Sequence, residues 1–327
     1  MPEFRKDQLT GRRVIIAPER AARPKQLGSA DLPQPCPFCP GNERLTPPES
    51  WADRPDNSQP NQPGWSVRIV PNKYPAVRTG KAAAGFEAED SSSGTGIHEV
   101  IIESPVHGAK PAGLDEHQLT RIYHAYREWL RNWREDPRWR YRLIFKNQGE
   151  RAGATFEHTH AQLIALAFVP AEVETEVNSA REYYRRTSTC YYCALLEREL
   201  QARVRIVTSN ADFIALCPSA PRFAFETWIL PRIHAAGFEE SVDATLAALA
   251  KISRQFMLAL ERIESNPPFN YFIQSLSLNE REQAYHHWQL RILPQFSRAA
   301  GFEWGSGIHI NPIAPEEAAR ILSDAAI

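Results

Sequence analysis

The chain has 327 residues, 43% of them hydrophobic, which suits two ordinary domains or one duplicated fold and excludes a disordered protein. Thirty-eight Lys and Arg residues nearly balance 39 Asp and Glu, so there is no overall field to favour nucleic acid or an anionic membrane. No stretch approaches the roughly 20 apolar residues that span a bilayer, and Met1 to Arg20 lacks the apolar core of a signal peptide; the expectation is a cytoplasmic protein.

Taken in chain order, the first signal is Cys36-Pro-Phe-Cys39. Residues 40–97, rich in Pro, Ser, Gly and Asn, read as an irregular insertion. His98-Glu-Val-Ile-Ile-Glu-Ser-Pro-Val-His107 follows. Leu119, Ile122, Tyr123, Tyr126, Trp129, Leu130 and Trp133 then recur every three or four residues, which predicts a helix from about Asp115 to Glu135. Tyr141–Phe145 reads as a strand, and His158-Thr-His160-Ala-Gln162-Leu-Ile-Ala-Leu alternates as a half-buried strand does.

The same order then returns. Cys190-Tyr-Tyr-Cys193 is followed by Glu226-Thr-Trp-Ile-Leu-Pro-Arg-Ile-His234, a helical pattern from about Val242 to Ile263, strand-like Asn270–Gln274, and His287-Trp-Gln-Leu-Arg-Ile-Leu-Pro294. His107 and His158 are 51 residues apart, His234 and His287 53. Shared order, residue type and spacing indicate a duplication. We place the join near residue 180, giving units 1–179 and 180–327. The expected fold class is α+β, two tandem repeats with helices packed on antiparallel sheets.

Each repeat supplies two thiols and two imidazoles: Cys36, Cys39, His107 and His158 in the first, Cys190, Cys193, His234 and His287 in the second. Thiolate and imidazole together suit tetrahedral structural zinc, so two structural zinc ions are expected. The remaining cysteine, Cys217, lies in an apolar run and reads as a small buried residue. His98, His117, His124 and His286 read as surface or hydrogen-bonded core histidines.

Alternation puts His158, His160 and Gln162 on one face of their strand. With His158 turned to a metal, His160 can act as a nucleophile and Gln162 can donate a hydrogen bond to a phosphoryl oxygen. The second repeat carries Gln289 and Arg291 at the corresponding positions and is expected to be catalytically silent.

The stretch from Asn147-Gln-Gly149 through Gly153 and Thr155 to His158-x-His160-x-Gln162 resembles the active-site strand of galactose-1-phosphate uridylyltransferases, the transferase branch of the histidine-triad superfamily. The resemblance extends to Leu9–Pro24, Cys36-Pro-Phe-Cys39-Pro-Gly-Asn, Asn72-Lys-Tyr-Pro, Phe223-Ala-Phe-Glu-Thr-Trp and Gly301-Phe-Glu-Trp-Gly. It implies histidine-triad-like repeats and ping-pong chemistry. His160 would take a nucleotidyl group from a nucleoside diphosphate sugar, release sugar 1-phosphate, and pass the nucleotide to a second phosphate. Gln162, Gly153 and Thr155 would hold phosphoryl oxygens, Asn72 and Asn147 the nucleotide, and Arg20 and Arg23 phosphate charge. It further implies a homodimer in which Glu303 acts across the interface, and His309 contacts substrate.

Lys73 stands where the hexose enzymes usually carry Asp, and His309 where they use Gln. The alternative to uridylyl transfer between hexose phosphates is therefore an ADP-sugar or dinucleoside polyphosphate phosphorylase moving AMP. A rival of another class is a non-catalytic zinc-dependent binding module, against which the intact His160/Gln162 pair argues.

Overall fold

The computed structural model of the protein describes residues 2–7, 13–22, 35–79, 91–275 and 284–326. Its strands are β1 (Glu3–Lys6), β2 (Arg13–Ile16), β3 (Trp51–Asp53), β4 (Val67–Pro71), β5 (Ser91–Ser93), β6 (Gly96–Ile102), β7 (Tyr141–Gln148), β8 (His160–Leu166), β9 (Ile206–Ser209), β10 (Phe213–Leu216), β11 (Thr227–Pro231), β12 (Phe269–Gln274) and β13 (Gln289–Pro294). The α-helices are α1 (Glu116–Arg134), α2 (Ala171–Thr187), α3 (Tyr191–Ala202), α4 (Asp243–Ile263), α5 (Gly301–Ser306) and α6 (Pro315–Ala326).

The predicted helix over 115–135 forms as α1. Asp115 caps it, its carboxylate accepting from the Gln118 amide at 2.7 Å and so satisfying one of the orphan donors of the first turn. The apolar stripe of α1 packs against its counterpart α4, and Ile122, Tyr126 and Trp129 share one core with Leu249, Phe256 and Leu260. The α+β expectation holds, and the two repeats share this core rather than building one each.

Ten strands form a single antiparallel sheet in the order β3-β4-β6-β8-β7-β12-β13-β11-β10-β9. Read outward from the β7–β12 seam, both halves have the same succession of elements, which is the duplication written in topology. Across the seam Phe145 pairs with Phe272 and Asn147 with Asn270. A smaller sheet, β2-β1-β5, lies apart from it in the strand pairing. Among the described residues no helix is long and apolar enough to cross a membrane.

The described residues of the 40–97 stretch are more regular than the composition suggests, since they contribute β3, β4 and the start of β6 to the main sheet. In β4 the hydrophobic signal is broken by Arg68, which is nonetheless only 1% exposed because Glu49 pairs with it at 2.8 Å. A buried charge satisfied by a distant partner leaves no periodic trace in the sequence. The helices α2 and α3 between the repeats likewise have no counterpart in the sequence reading.

Side-chain alternation gives the sheet two distinct faces. In β8, Ala161, Leu163 and Ala165 join the helix-covered core. Ile164 and Leu166 point the other way, toward Phe4 and Val77, and His160 and Gln162 share their parity. On that second face Cys36 and Phe38 pack on Val100 and Ile102 of β6, whose partners across the ladder are Gln162 and His160.

Candidate active site

His160 opens β8, 5% exposed, with its ring 5.4 Å from that of Phe38 and 6.3 Å from that of Phe156. Its Nδ1 donates to the carbonyl of His158 at 2.8 Å. In a neutral imidazole this places the lone pair on Nε2. The aromatic walls limit water at the ring, and the carbonyl is positioned to stabilise the imidazolium character that develops when Nε2 attacks an electrophile.

Beside it lies a cluster of polar side chains. Gln162 Oε1 is 3.0 Å from His98 Nε2, Asn72 Nδ2 is 3.1 Å from the same nitrogen, and Asn72 Oδ1 accepts from the Tyr74 amide at 2.9 Å. Arg20 donates to the Tyr74 carbonyl at 2.7 Å. The structure therefore brings Arg20, Asn72, Gln162 and His160 to one place. Arg23 falls outside the described residues.

The loop after β7 supplies the next wall. Gly149 and Gly153 both take positive φ, +78° and +88°, conformations that a side chain would strain. Asn270 of the second repeat donates to the Asn147 side chain and to the Ala152 carbonyl, each at 2.8 Å, and so fixes this loop. Thr155 Oγ1 is buried without a hydrogen-bond partner, as expected of a group awaiting a ligand oxygen.

Behind β8 a charge is buried that sequence reading missed. Lys146 donates to Glu103, to Thr159 Oγ1 at 2.8 Å and to the His160 carbonyl at 3.1 Å. Tyr126 and Tyr271 complete the set, donating to Glu103 Oε1 at 2.7 and 3.2 Å. Burial is the largest single influence and works to raise the Glu103 carboxyl, but the Lys146 charge together with the hydrogen bonds from Lys146, Tyr126 and Thr159 lowers it below its ordinary value. Replacing Lys146 by Met strands that carboxylate in the interior. We expect a loss of about 3–5 kcal/mol, read as a lower urea midpoint at an unchanged denaturant slope.

Both predicted metal-ligand sets assemble. Cys36, Cys39, His107 and His158 present ligand atoms within 4.8 Å of one another, and so do Cys190, Cys193, His234 and His287. In the first, His158 Nδ1 lies 3.6 Å from Cys36 Sγ and 3.7 Å from Cys39 Sγ, and Cys39 Sγ is 3.3 Å from His107 Nδ1. In the second, Cys193 Sγ lies 3.4 Å from His234 Nδ1 and 3.6 Å from His287 Nδ1. Zinc bond lengths put the sulfur-to-nitrogen edge of a tetrahedron at about 3.5 Å, so both donor sets fit that ion.

The outer partners repeat too. His158 Nε2 donates to the Ser104 carbonyl at 2.7 Å and His287 Nε2 to the Pro231 carbonyl at 3.0 Å, each turning Nδ1 toward the thiols. Burial depresses the His158 pKa and pushes the Cys36 thiol up to about 12. A cation among these groups is what would offset the cost of a buried thiolate. Cys217, 1% exposed and 3.8 Å from Thr227 Oγ1, is the buried residue expected.

The second repeat's equivalent of the active strand is filled by protein. Gln289 Nε2 donates to the His287 carbonyl at 3.4 Å, in the manner of His160. Arg291 pairs with Glu176 of α2 and lies 4.4 Å above the Trp228 ring. Glu303 accepts from the Ala300 amide at the start of α5, and His309 packs edge-on against Phe223 at 5.6 Å. Among the described residues neither makes a hydrogen bond, ion pair or ring contact with the His158–Gln162 cluster.

A doubled antiparallel sheet carrying one intact His-x-His-x-Gln strand defines an α+β enzyme of the nucleotidyltransferase class. Residues 1–170 match the family model described as galactose-1-phosphate uridyl transferase, N-terminal domain. The chain belongs to the galactose-1-phosphate uridylyltransferase family. It is 32% identical to ADP-glucose phosphorylase of Arabidopsis thaliana, over all of this chain and 93% of that one. It is 25% identical to galactose-1-phosphate uridylyltransferase of Thermotoga maritima, over 99% of this chain and 98% of the relative. Among solved structures, the Arabidopsis ADP-glucose phosphorylase with bound ADP-glucose superposes with a TM-score of 0.79 at 32% identity, covering 99% of both chains. A uridylyltransferase does so with a TM-score of 0.82 at 26% identity, covering 99% of this chain and 98% of its own.

Proposed function

We propose that His160 is the nucleophile of a ping-pong nucleotidyl transfer between a nucleoside diphosphate sugar and a phosphate acceptor. Its Nε2 attacks the α-phosphorus, forming a P–N bond as the bond from that phosphorus to the bridging oxygen breaks. Sugar 1-phosphate leaves with the oxygen and its electron pair. The acceptor phosphate then attacks the same phosphorus, and the P–N electrons return to His160. Gln162 and the backbone around Gly153 to Thr155 hold phosphoryl oxygens, Asn72 and Asn147 the nucleotide, and Arg20 and Arg23 the phosphate charge. The observation that carries this reading is the 2.8 Å bond from Nδ1 to the His158 carbonyl, which leaves the ring's lone pair on Nε2.

A glutamine donates a hydrogen bond but shuttles no proton; a departing sugar phosphate needs little acid assistance, which favours transfer over hydrolysis. The first reading of the donor is the family's UDP-glucose. A second, ADP-glucose, draws support from the 32% identity to the Arabidopsis phosphorylase against 25% to the Thermotoga uridylyltransferase, and from Lys73 and His309. Intact-protein mass after mixing with each donor decides between them: we expect a gain of one UMP or one AMP. No gain with either donor would overturn the covalent mechanism and favour the zinc-dependent binding module.

Structural zinc in both quartets is part of the same reading, supported by the sulfur-to-nitrogen separations. A homodimer is proposed because Phe302, Trp304, Ile308 and Ile310 stand 54–81% exposed around Glu303 and His309. Pairing would cover these apolar side chains and carry Glu303 and His309 to the partner's substrate. Unpaired thiols directed at imidazoles suit the reducing cytoplasm. We place the join between units 1–179 and 180–327 within α2, as the connector of the two repeats.

A further inference from the structure

We propose that His98 is a positioning residue that fixes which end of the Gln162 amide meets the reacting phosphate. This rests on the reading of Gln162 as a phosphoryl-oxygen donor. His98 lies on β6, two residues from Val100, which pairs with Gln162, so the two side chains are diagonal neighbours on one face of the sheet. Both are buried, 6% and 4% exposed.

The tautomer follows from backbone chemistry. The Ala76 amide donates to His98 Nδ1 at 2.8 Å, and a backbone N–H can only donate. Neutral His98 therefore carries its proton on Nε2. That nitrogen is 3.0 Å from Gln162 Oε1, so it donates there and the amide is held with its oxygen toward His98 and its NH2 on the opposite side.

Orientation matters because the amide's two ends have opposite polarity. Oxygen-first, it would repel a phosphoryl oxygen; NH2-first, it stabilises the charge that grows as the P–O bond breaks. Asn72 Nδ2, 3.1 Å from the same nitrogen, cannot donate to it in this tautomer, and its own amide is set by the Tyr74 N–H. Its amide protons are left for an acceptor other than His98. One imidazole thus sets the sense of Gln162 and excludes itself as an acceptor for Asn72.

The test is a double-mutant cycle on the single-turnover rate of nucleotidyl-enzyme formation, with UDP-glucose and with ADP-glucose. His98→Leu should slow that step by about 10- to 100-fold, up to the loss expected for one misaligned donor. In a Gln162→Ala background it should slow it less than about twofold, because the group it orients is gone. His98→Gln, whose amide nitrogen reaches the place of Nε2, should recover most of the rate, and His98→Asn, which substitutes for Nδ1, should not. Equal slowing by His98→Leu in both backgrounds would overturn the proposal in favour of a packing role. Absence of any covalent species in the wild type would instead defeat the parent reading. The tautomer is checked independently of turnover by long-range 1H–15N correlation of the His98 ring, where a proton on Nδ1 would refute the assignment.

Discussion

Changing His160 to Ala will abolish nucleotidyl-enzyme formation and cut turnover by at least about 10⁴-fold, the scale on which nucleophile deletions fall. The size follows from what the ring does. In the proposed mechanism it forms the covalent bond itself, with its Nδ1 held by the His158 carbonyl. Folding should be little affected, since the ring packs against Phe38 and Phe156 and carries no buried charge in the neutral form. Rapid-quench labelling with the donor identified by mass reads the rate, and circular dichroism checks that the variant is folded. A variant retaining more than about 1% of wild-type labelling would refute the role.

Loss of the first metal quartet should be the most damaging change to stability. Cys36→Ser should lower zinc content by one equivalent per chain and reduce Tm on the order of 10 °C, because structural zinc supplies apparent binding energy comparable with the whole stability of a domain. Chelation of the wild type should reproduce the effect. The same change should disable catalysis: His158 is at once a member of the quartet and the residue whose carbonyl holds His160, so tilting its ring moves the nucleophile's anchor. Cys190→Ser should also remove one equivalent of zinc yet leave most of the labelling rate, as the second quartet abuts Gln289 and not His160. Elemental analysis, calorimetry and labelling together distinguish the two sites. Equal activity losses from both substitutions would contradict this division of roles.

Much of the site was legible because its chemistry is local along the chain. Alternation places His160 and Gln162 on one face of β8, while His158, expected on the same strand, lies in the bend just before it and turns to the thiols; Cys-x-x-Cys puts two thiols within reach of one ion. The duplication was legible because it repeats order and spacing. What escaped is held by pairing. His98 looks like any core histidine until β6 is known to lie beside β8 with Val100 opposite Gln162. Lys146 lies just past the strand read over Tyr141–Phe145, and nothing local marks it as buried: Glu103 reaches it from another part of the chain and is itself held by Tyr126 and Tyr271. Periodicity reports which face a residue occupies, and says nothing of which strand will be its neighbour. Arg68 was lost for the same reason, and with it the recognition that residues 67–71 form a strand.

The seam between β7 and β12 has a consequence for synthesis on the ribosome. Asn147 and its partner Asn270 are 123 residues apart, so at ordinary translation rates β7 waits roughly 6–25 s before β12 exists. All four ligands of the first quartet, by contrast, have been made once His158 has emerged. The early half can therefore be clamped by metal while its eight-residue inner edge is still bare. During that interval β7 presents an unpaired edge to other nascent chains, and the second repeat, made later, closes it.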